Sequence, residues 1–209
     1  MENDKKEEMV AEERIIAAAI EEFTQKGYNA TRMQAIADRA KISKSALHYY
    51  FRHKERLFKK VLDLTAGKTL KKLQLDLTGL TTFSEKLDCG FHYYYQAISK
   101  NIRIINFIFM ELNRNPEIIN QFLDEGNYRN WIRSLDEELI KEYQAGRIRQ
   151  IRAEQLILNI VSMCMFPHLS RGIACMVMNI DHKAHNELLR EREDLVLQFI
   201  RDALFIKEK

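Results

Sequence analysis

Seven glycines and two prolines in 209 residues leave little of the turn chemistry that sheet-containing folds require. All-β and α/β chains place such residues at intervals of about ten positions, so their scarcity predicts an all-α protein. Cysteine is equally sparse: Cys89, Cys164 and Cys175 are an odd number with no CxxC spacing. That excludes a disulfide framework and a zinc site, and the three are read as buried free thiols. Long apolar runs are missing as well. The longest uncharged stretch, Gln155 to Ser170, has 16 residues and includes Asn159, Ser162 and Pro167, short of the roughly 20 apolar residues of a membrane span. It reads as a buried helix. The amino terminus, MENDKKEEMVAEER, is charged where a secretory signal is apolar, which predicts a cytoplasmic protein with no membrane partner. No nucleophile–base pair or metal-ligand set stands out, so neither catalysis nor a cofactor is expected.

What is present is a concentration of positive charge. Residues 24–60 hold ten cations against Asp38 and Glu55, a net of +8, and the rest of the chain is left at −5 although the whole carries +3. A basic block on an acidic body points to a polyanion, nucleic acid ahead of an anionic membrane surface.

Helical periodicity organises that block. Ile15, Ile16, Ala19, Ile20 and Phe23 recur at three- and four-residue steps and make one stripe, which Gly27 stops. TRMQ (31–34) has capping-box spacing, with Thr31 as the cap and Gln34 reaching back. A short helix follows with Ile36, Ala37 and Ala40 inward. Ser43 caps a third helix, from Lys44 to about Arg52. Two brief helices joined by a tight turn form a helix-turn-helix, whose second helix fits the major groove of DNA. On it Leu47 and Phe51 face the core, while Lys44, Ser45, His48 and Tyr49 share another face, rich in donors for phosphates and base edges.

The stretch RIIAAAIEEFTQKGYNATRMQAIADRAKISKSALHYYFRHKERLF (14–58) resembles the DNA-binding module of the tetracycline-repressor (TetR/AcrR) family, in register for about 45 residues. The matching pieces are F…KGY.AT, IA..A..S, L.YYF and K..LF. The resemblance implies a helix-turn-helix domain over 1–54 and a helical effector-binding and dimerisation domain over 55–209. It also implies a homodimer on a pseudo-palindromic double-stranded operator, released by a small hydrophobic effector. By position, Thr31 would cap the second helix and touch phosphate; Ser43, Lys44, Ser45 and Tyr49 would contact DNA from the recognition helix. His48 takes the place of a phosphate-bonding tyrosine, and Lys54 would anchor the DNA backbone. Lys41 stands where the family usually has the turn glycine, and His53 replaces a common Ser or Asn cap. Phosphate binding by an imidazole depends on pH.

Beyond the module, a helix is expected from Lys54 to about Gly67. Thr82 and Glu85 repeat the capping-box spacing before a stripe of Phe91, Tyr94, Tyr95 and Ile98. IRIINFIFMEL reads as a central helix surrounded by others. Asn115 and Pro116 would open another helix, and one from about Asn127 would present Trp131, Leu135 and Leu139. Two last helices, about Ala153–Asn179 with a kink at Pro167 and about Asn186–Ile206, would build the dimer through Leu188, Leu195, Phe199 and Ala203. Tyr94, Tyr95, Phe107, Met110 and Trp131 are candidate effector contacts, with filled core as the alternative reading. Met163, Met165, Met176 and Met178 suit dimer packing. AGKT (66–69) lacks the first glycine of a phosphate loop, since Leu62 stands there. Cys175, His182 and His185 lack metal-site spacing, and Asp136, Glu137 and Glu138 read as a solvated face. A nonspecific architectural DNA-binding protein and a helical-bundle enzyme are the competing functions.

Overall fold

The computed structural model describes residues 2–114, 117, 120, 124, 126 and 128–206, with side chains from Met9 onward except at 69. The helices are α1 (Glu2–Ala30), α2 (Met33–Ala40), α3 (Lys44–Tyr50), α4 (Lys54–Leu62), α5 (Lys68–Thr78), α6 (Phe83–Arg114), α7 (Tyr128–Gln144), α8 (Ala153–Leu169), α9 (Arg171–Met178) and α10 (His182–Leu204). Among the described residues no strand occurs, and the expected all-α class holds. The nearest approach to a sheet is an isolated antiparallel bridge between Ile148 and Phe205. The expected helix opening at Asn115 and Pro116 lies outside the described residues, as does Asn127.

The chain forms two compact units, Met1–Lys71 with Arg103–Phe122, and Lys72–Ile102 with Leu123–Lys209. In the first, the predicted stripe of α1 is the core: Ile15, Ala19 and Phe23 are fully buried against Ile36, Leu47, Leu57 and Phe58. Phe107 of α6 stacks on Phe23 with ring centroids 5.8 Å apart and planes 4° from parallel, and meets Phe58 edge-on. Each such ring contributes about 2–3 kcal/mol by leaving water. This corrects two expectations. Phe107 is packed in the core of the first unit, the alternative reading given for it. IRIINFIFMEL is buried on one side only, through Ile104, Phe107 and Ile108, while Phe109 and Met110 are exposed.

In the second unit, Phe91, Tyr95 and Ile98 of α6 are buried, as are Leu139 of α7, Leu156 and Cys164 of α8, and Val196, Ile200 and Leu204 of α10. The capping box at Thr82 forms as expected: Glu85 N donates to Thr82 Oγ1 at 3.2 Å and Thr82 N donates to Glu85 Oε2 at 3.1 Å. Cys164 is a buried free thiol, and Cys89 and Cys175 are free and half-buried.

Helix boundaries differ from expectation in several places. The helix expected to stop near Gly67 passes through a π-helical turn, Asp63–Gly67, straight into α5. The element expected as one kinked helix over 153–179 is two, α8 and α9, bent by 74° at Ser170. Pro167 has no N–H for the carbonyl of Met163 four residues back, and Arg192 Nε donates to that carbonyl at 3.1 Å instead. With the orphan satisfied, the helix survives its proline and ends two residues later, at Leu169. The last helix starts at His182 rather than 186, because Asp181 accepts from Ala184 N at 2.7 Å as an N-cap. Finally, α6 departs from helical geometry at Asn101 (φ −129°, ψ 25°). Among the described residues no single helix is long and apolar enough to cross a membrane.

Candidate nucleic-acid interface

The turn between α2 and α3 is set by Lys41, which adopts φ 55° and ψ 47°. This is the left-handed conformation that favours glycine, as the sequence position suggested. Two backbone bonds close the turn: Lys41 N to Asp38 O and Ile42 N to Ala37 O, both 3.1 Å. Arg14 adds a further donor, Nη2 to Ala40 O at 3.1 Å. Ser43 then caps α3, its Oγ accepting from Ala46 N at 3.1 Å, and lies 2.9 Å from Ser45 Oγ.

Helix α3 ends at Tyr50, shorter than expected, with Phe51 as its extended C-cap. Leu47 is fully buried and Phe51 nearly so. The opposite face is open: Lys41, Ser43, Lys44, Ser45, His48 and Tyr49 are all exposed, and Tyr49 shows 77 % of its surface. His48 Nδ1 donates to Arg52 O at 3.1 Å. With Nδ1 committed as a donor, Nε2 donates to a phosphate only when the ring is protonated.

Two members of the expected contact set have other employment. Thr31 does not cap α2; the cap is Arg32, with no side-chain bond. Instead Thr31, 2 % exposed, donates its hydroxyl to Glu22 O at 3.1 Å and Gly27 O at 2.7 Å. Gln34, expected to reach back to this cap, bonds Asp38 on its own helix. Gly27 explains the change. Its φ of 78° and ψ of 163° turn the chain out of the helix rather than closing it in the left-handed well, which brings the hydroxyl over the end of α1. Lys54, expected as a phosphate anchor, points into the same corner. Its Nζ donates to the carbonyls of Tyr28 (2.7 Å), Asn29 (3.2 Å) and Thr31 (3.0 Å) and sits 4.4 Å from the Tyr28 ring centroid. An ammonium has three donors, and all three are engaged.

Two buried carboxylates complete the frame, and sequence reasoning passed over both. Glu22 ties α1 to α2: Oε2 accepts from Lys26 Nζ at 2.7 Å, and Oε1 from Arg39 Nε at 2.8 Å. The lysine bond, with help from Arg39, holds its pKa below the usual carboxylate range despite burial. Glu111 of α6 accepts the Tyr28 amide at 3.2 Å. A Cβ at position 27 would meet Glu111 Oε1 at 3.3 Å, a tight approach to a side-chain tip, and the φ of 78° is what favours glycine there. For Glu111 the available signal was a lone acid inside an apolar run.

The expected effector contacts do not form one group. Phe107 and Met110 belong to the first unit; Tyr94, Tyr95 and Trp131 belong to the second. Tyr95 donates its hydroxyl to Leu189 O, and burial pushes its pKa up to about 12. Tyr94 is raised further, by burial and by neighbouring Cys164.

Residues 15–61 match the model of the bacterial regulatory proteins of the tetR family. The chain is 22% identical over 165 residues to the fatty acid metabolism regulator protein of Bacillus subtilis, covering 79% of this chain and 82% of that one. It is 44% identical over 62 residues to the HTH-type transcriptional regulator YuxN of the same organism, 30% of this chain and 21% of that one. The crystal structure of the transcriptional regulator FadR from Bacillus subtilis in complex with stearoyl-CoA superimposes with a TM-score of 0.61 at 20% identity, over 88% of this chain and 96% of that one.

Proposed function

The chain is a transcriptional regulator of the tetR family, and from that premise we propose that it is a homodimeric repressor whose α3 enters the major groove of a pseudo-palindromic operator. It acts by binding rather than by catalysis, as do the regulators it matches. One observation carries the reading. A helix of 7 residues is pinned by a buried Leu47 and presents Lys44, Ser45, His48 and Tyr49 outward beside Ser43 and Lys41. That is the geometry in which phosphate contacts seat a helix and hydroxyls and rings read base edges. Residues 1–54 would carry this DNA-binding role, with Thr31 and Lys54 holding the frame rather than touching phosphate. Residues 55–209 would bind effector and dimerise.

The dimer reading is supported by apolar surface on α8 and α10: Leu158, Phe166, Leu188, Leu195 and Phe199 are all exposed, the last at 65 %. Side chains of this size left in water in such number mark an interface. For the effector, similarity to a fatty acid metabolism regulator and to a structure holding stearoyl-CoA supports a compound with a long acyl chain. Tyr94, Tyr95 and Trp131 remain its proposed apolar contacts.

Fluorescence anisotropy with a selected operator tests the reading. Alanine at Lys44 or Tyr49 should weaken binding by roughly 10-fold, the worth of one good base or phosphate contact, with an unchanged melting curve. Unchanged affinity in both variants would refute the assignment of α3.

A further inference from the structure

One cluster of side chains is left unused by the fold, where the end of α8, the start of α9 and α10 meet. His185, in the first turn of α10, is 3 % exposed, and its Nδ1 is sealed from solvent with no hydrogen-bond partner. His168, in the last turn of α8, has its Nε2 in the same condition. Buried polar nitrogens without partners are uncommon, because each forfeits its hydrogen bond to water for nothing.

The surroundings are of one sign. Burial depresses the pKa of His168 most, and His185, Arg171 and Arg192 each depress it further. Arg192 is fixed in place by its bond to the carbonyl that Pro167 leaves open. The other titratable groups nearby offer no counter-charge. Cys164, one turn earlier on α8, is held as a neutral thiol with its pKa pushed up to about 12 by burial. Glu193 is committed elsewhere, accepting from His92 at 2.9 Å and Gln96 at 2.8 Å. His182 faces Cys175 at the surface, 3.7 Å away. Three helices therefore converge two imidazoles and two guanidiniums with no carboxylate among the groups acting on His168. Two cations nearby make a metal ion a poor occupant, and an oxyanion a good one.

We propose that this junction receives the acidic head of the effector, an oxyanion carried on an acyl chain, with His168 and His185 donating to it and Arg171 and Arg192 supplying the field. The inference rests on the acyl-effector reading given above. The shared chemistry is an oxyanion, which a free fatty acid presents as a carboxylate and a coenzyme A thioester as phosphate. A bound anion converts the mutual repulsion of the cluster into attraction and favours the imidazolium form. Binding thus takes up a proton at His168, and affinity rises as pH falls toward the depressed pKa which that imidazole has in the empty site.

Calorimetric titration of the full chain with palmitate, palmitoyl-CoA and methyl palmitate, at about pH 6 and about pH 8, reads this out. One of the two anions should bind at least about tenfold more tightly than the uncharged ester, with the gap widening at the lower pH. A preference for palmitate identifies the carboxylate, and one for palmitoyl-CoA the phosphate. In His168→Gln and His185→Gln the preference and its pH dependence should vanish, while operator affinity without ligand stays unchanged. If either variant fails to fold, the three-probe comparison on the unaltered protein decides alone. Equal affinity for ester and anions, or folded variants that keep the preference, would overturn the site while leaving the acyl-effector reading intact. Absence of binding by all three probes would remove that reading and the site with it.

Discussion

Lys41 holds a left-handed conformation at φ 55° that disfavours any side chain with a Cβ by about 1 kcal/mol or more. Retaining a lysine there is intelligible if its ammonium, on the open side of the turn, meets the operator backbone. Lys41→Gly should raise the stability of the protein by about 0.5–1 kcal/mol, measured by denaturant titration, while lowering operator affinity and flattening its dependence on salt. A variant that loses affinity with no change in salt dependence would assign the position to the turn alone. Glu22 makes a different kind of residue-scale prediction. Its carboxylate is held below its ordinary pKa chiefly by Lys26 and then by Arg39, so its stabilising contribution is present above the unfolded-state value and is lost as pH falls through the lower folded one. Stability of the unaltered protein should therefore decline on acidification, and Glu22→Gln should be less stable near neutrality yet lose less as pH drops through the carboxylate range.

At the scale of elements, the corner after α1 decides how α2 and α3 are presented. Lys54 holds three carbonyls from its base on α4, and Glu111 holds the Tyr28 amide from α6. Lys54→Met should cost about 2 kcal/mol of stability, since charged hydrogen bonds in a partly buried corner are lost together. Glu111→Gln should cost less, because its amide oxygen still accepts from Tyr28, and it should alter operator affinity more than stability. Hydrogen exchange at the amide of Tyr28 checks both, with clearly faster exchange expected in Lys54→Met and only a small increase in Glu111→Gln, where a neutral acceptor replaces the carboxylate. This corner also marks the limit of what the sequence made legible. Periodicity alone located α1, α2 and α3, and spacing alone located the N-cap at Ser43 and the capping box at Thr82, because those depend on neighbours three or four residues apart. The inward turn of Thr31 and Lys54 depends on the ψ of Gly27 and on α4 folding back beside it. No local spacing encodes that. The same holds for Pro167, whose kink was expected but whose repair by Arg192, 25 positions later, is a tertiary contact. Phe107 misled for the same reason: an aromatic on a helix is core or cavity wall according to what packs opposite it.

On the scale of the whole molecule, the apolar stripes of α8 and α10 were visible as sequence pattern, and they stand exposed in the folded chain, Leu195 at 61 %. Glutamate at both Leu195 and Phe199 should convert a dimer to a monomer in sedimentation analysis without lowering helix content, and should reduce operator affinity steeply because two half-sites would no longer be bound together. The account stands or falls on how that pair of α3 helices meets DNA. Selection of bound duplexes from a random pool measures it most directly. The expected product is an inverted repeat with half-site centres about one helical turn, roughly 34–36 Å, or a multiple of it apart, enriched by the unaltered protein and not by the Lys44→Ala, Tyr49→Ala double variant. A pool that shows no repeat, or one enriched equally by that variant, would contradict it.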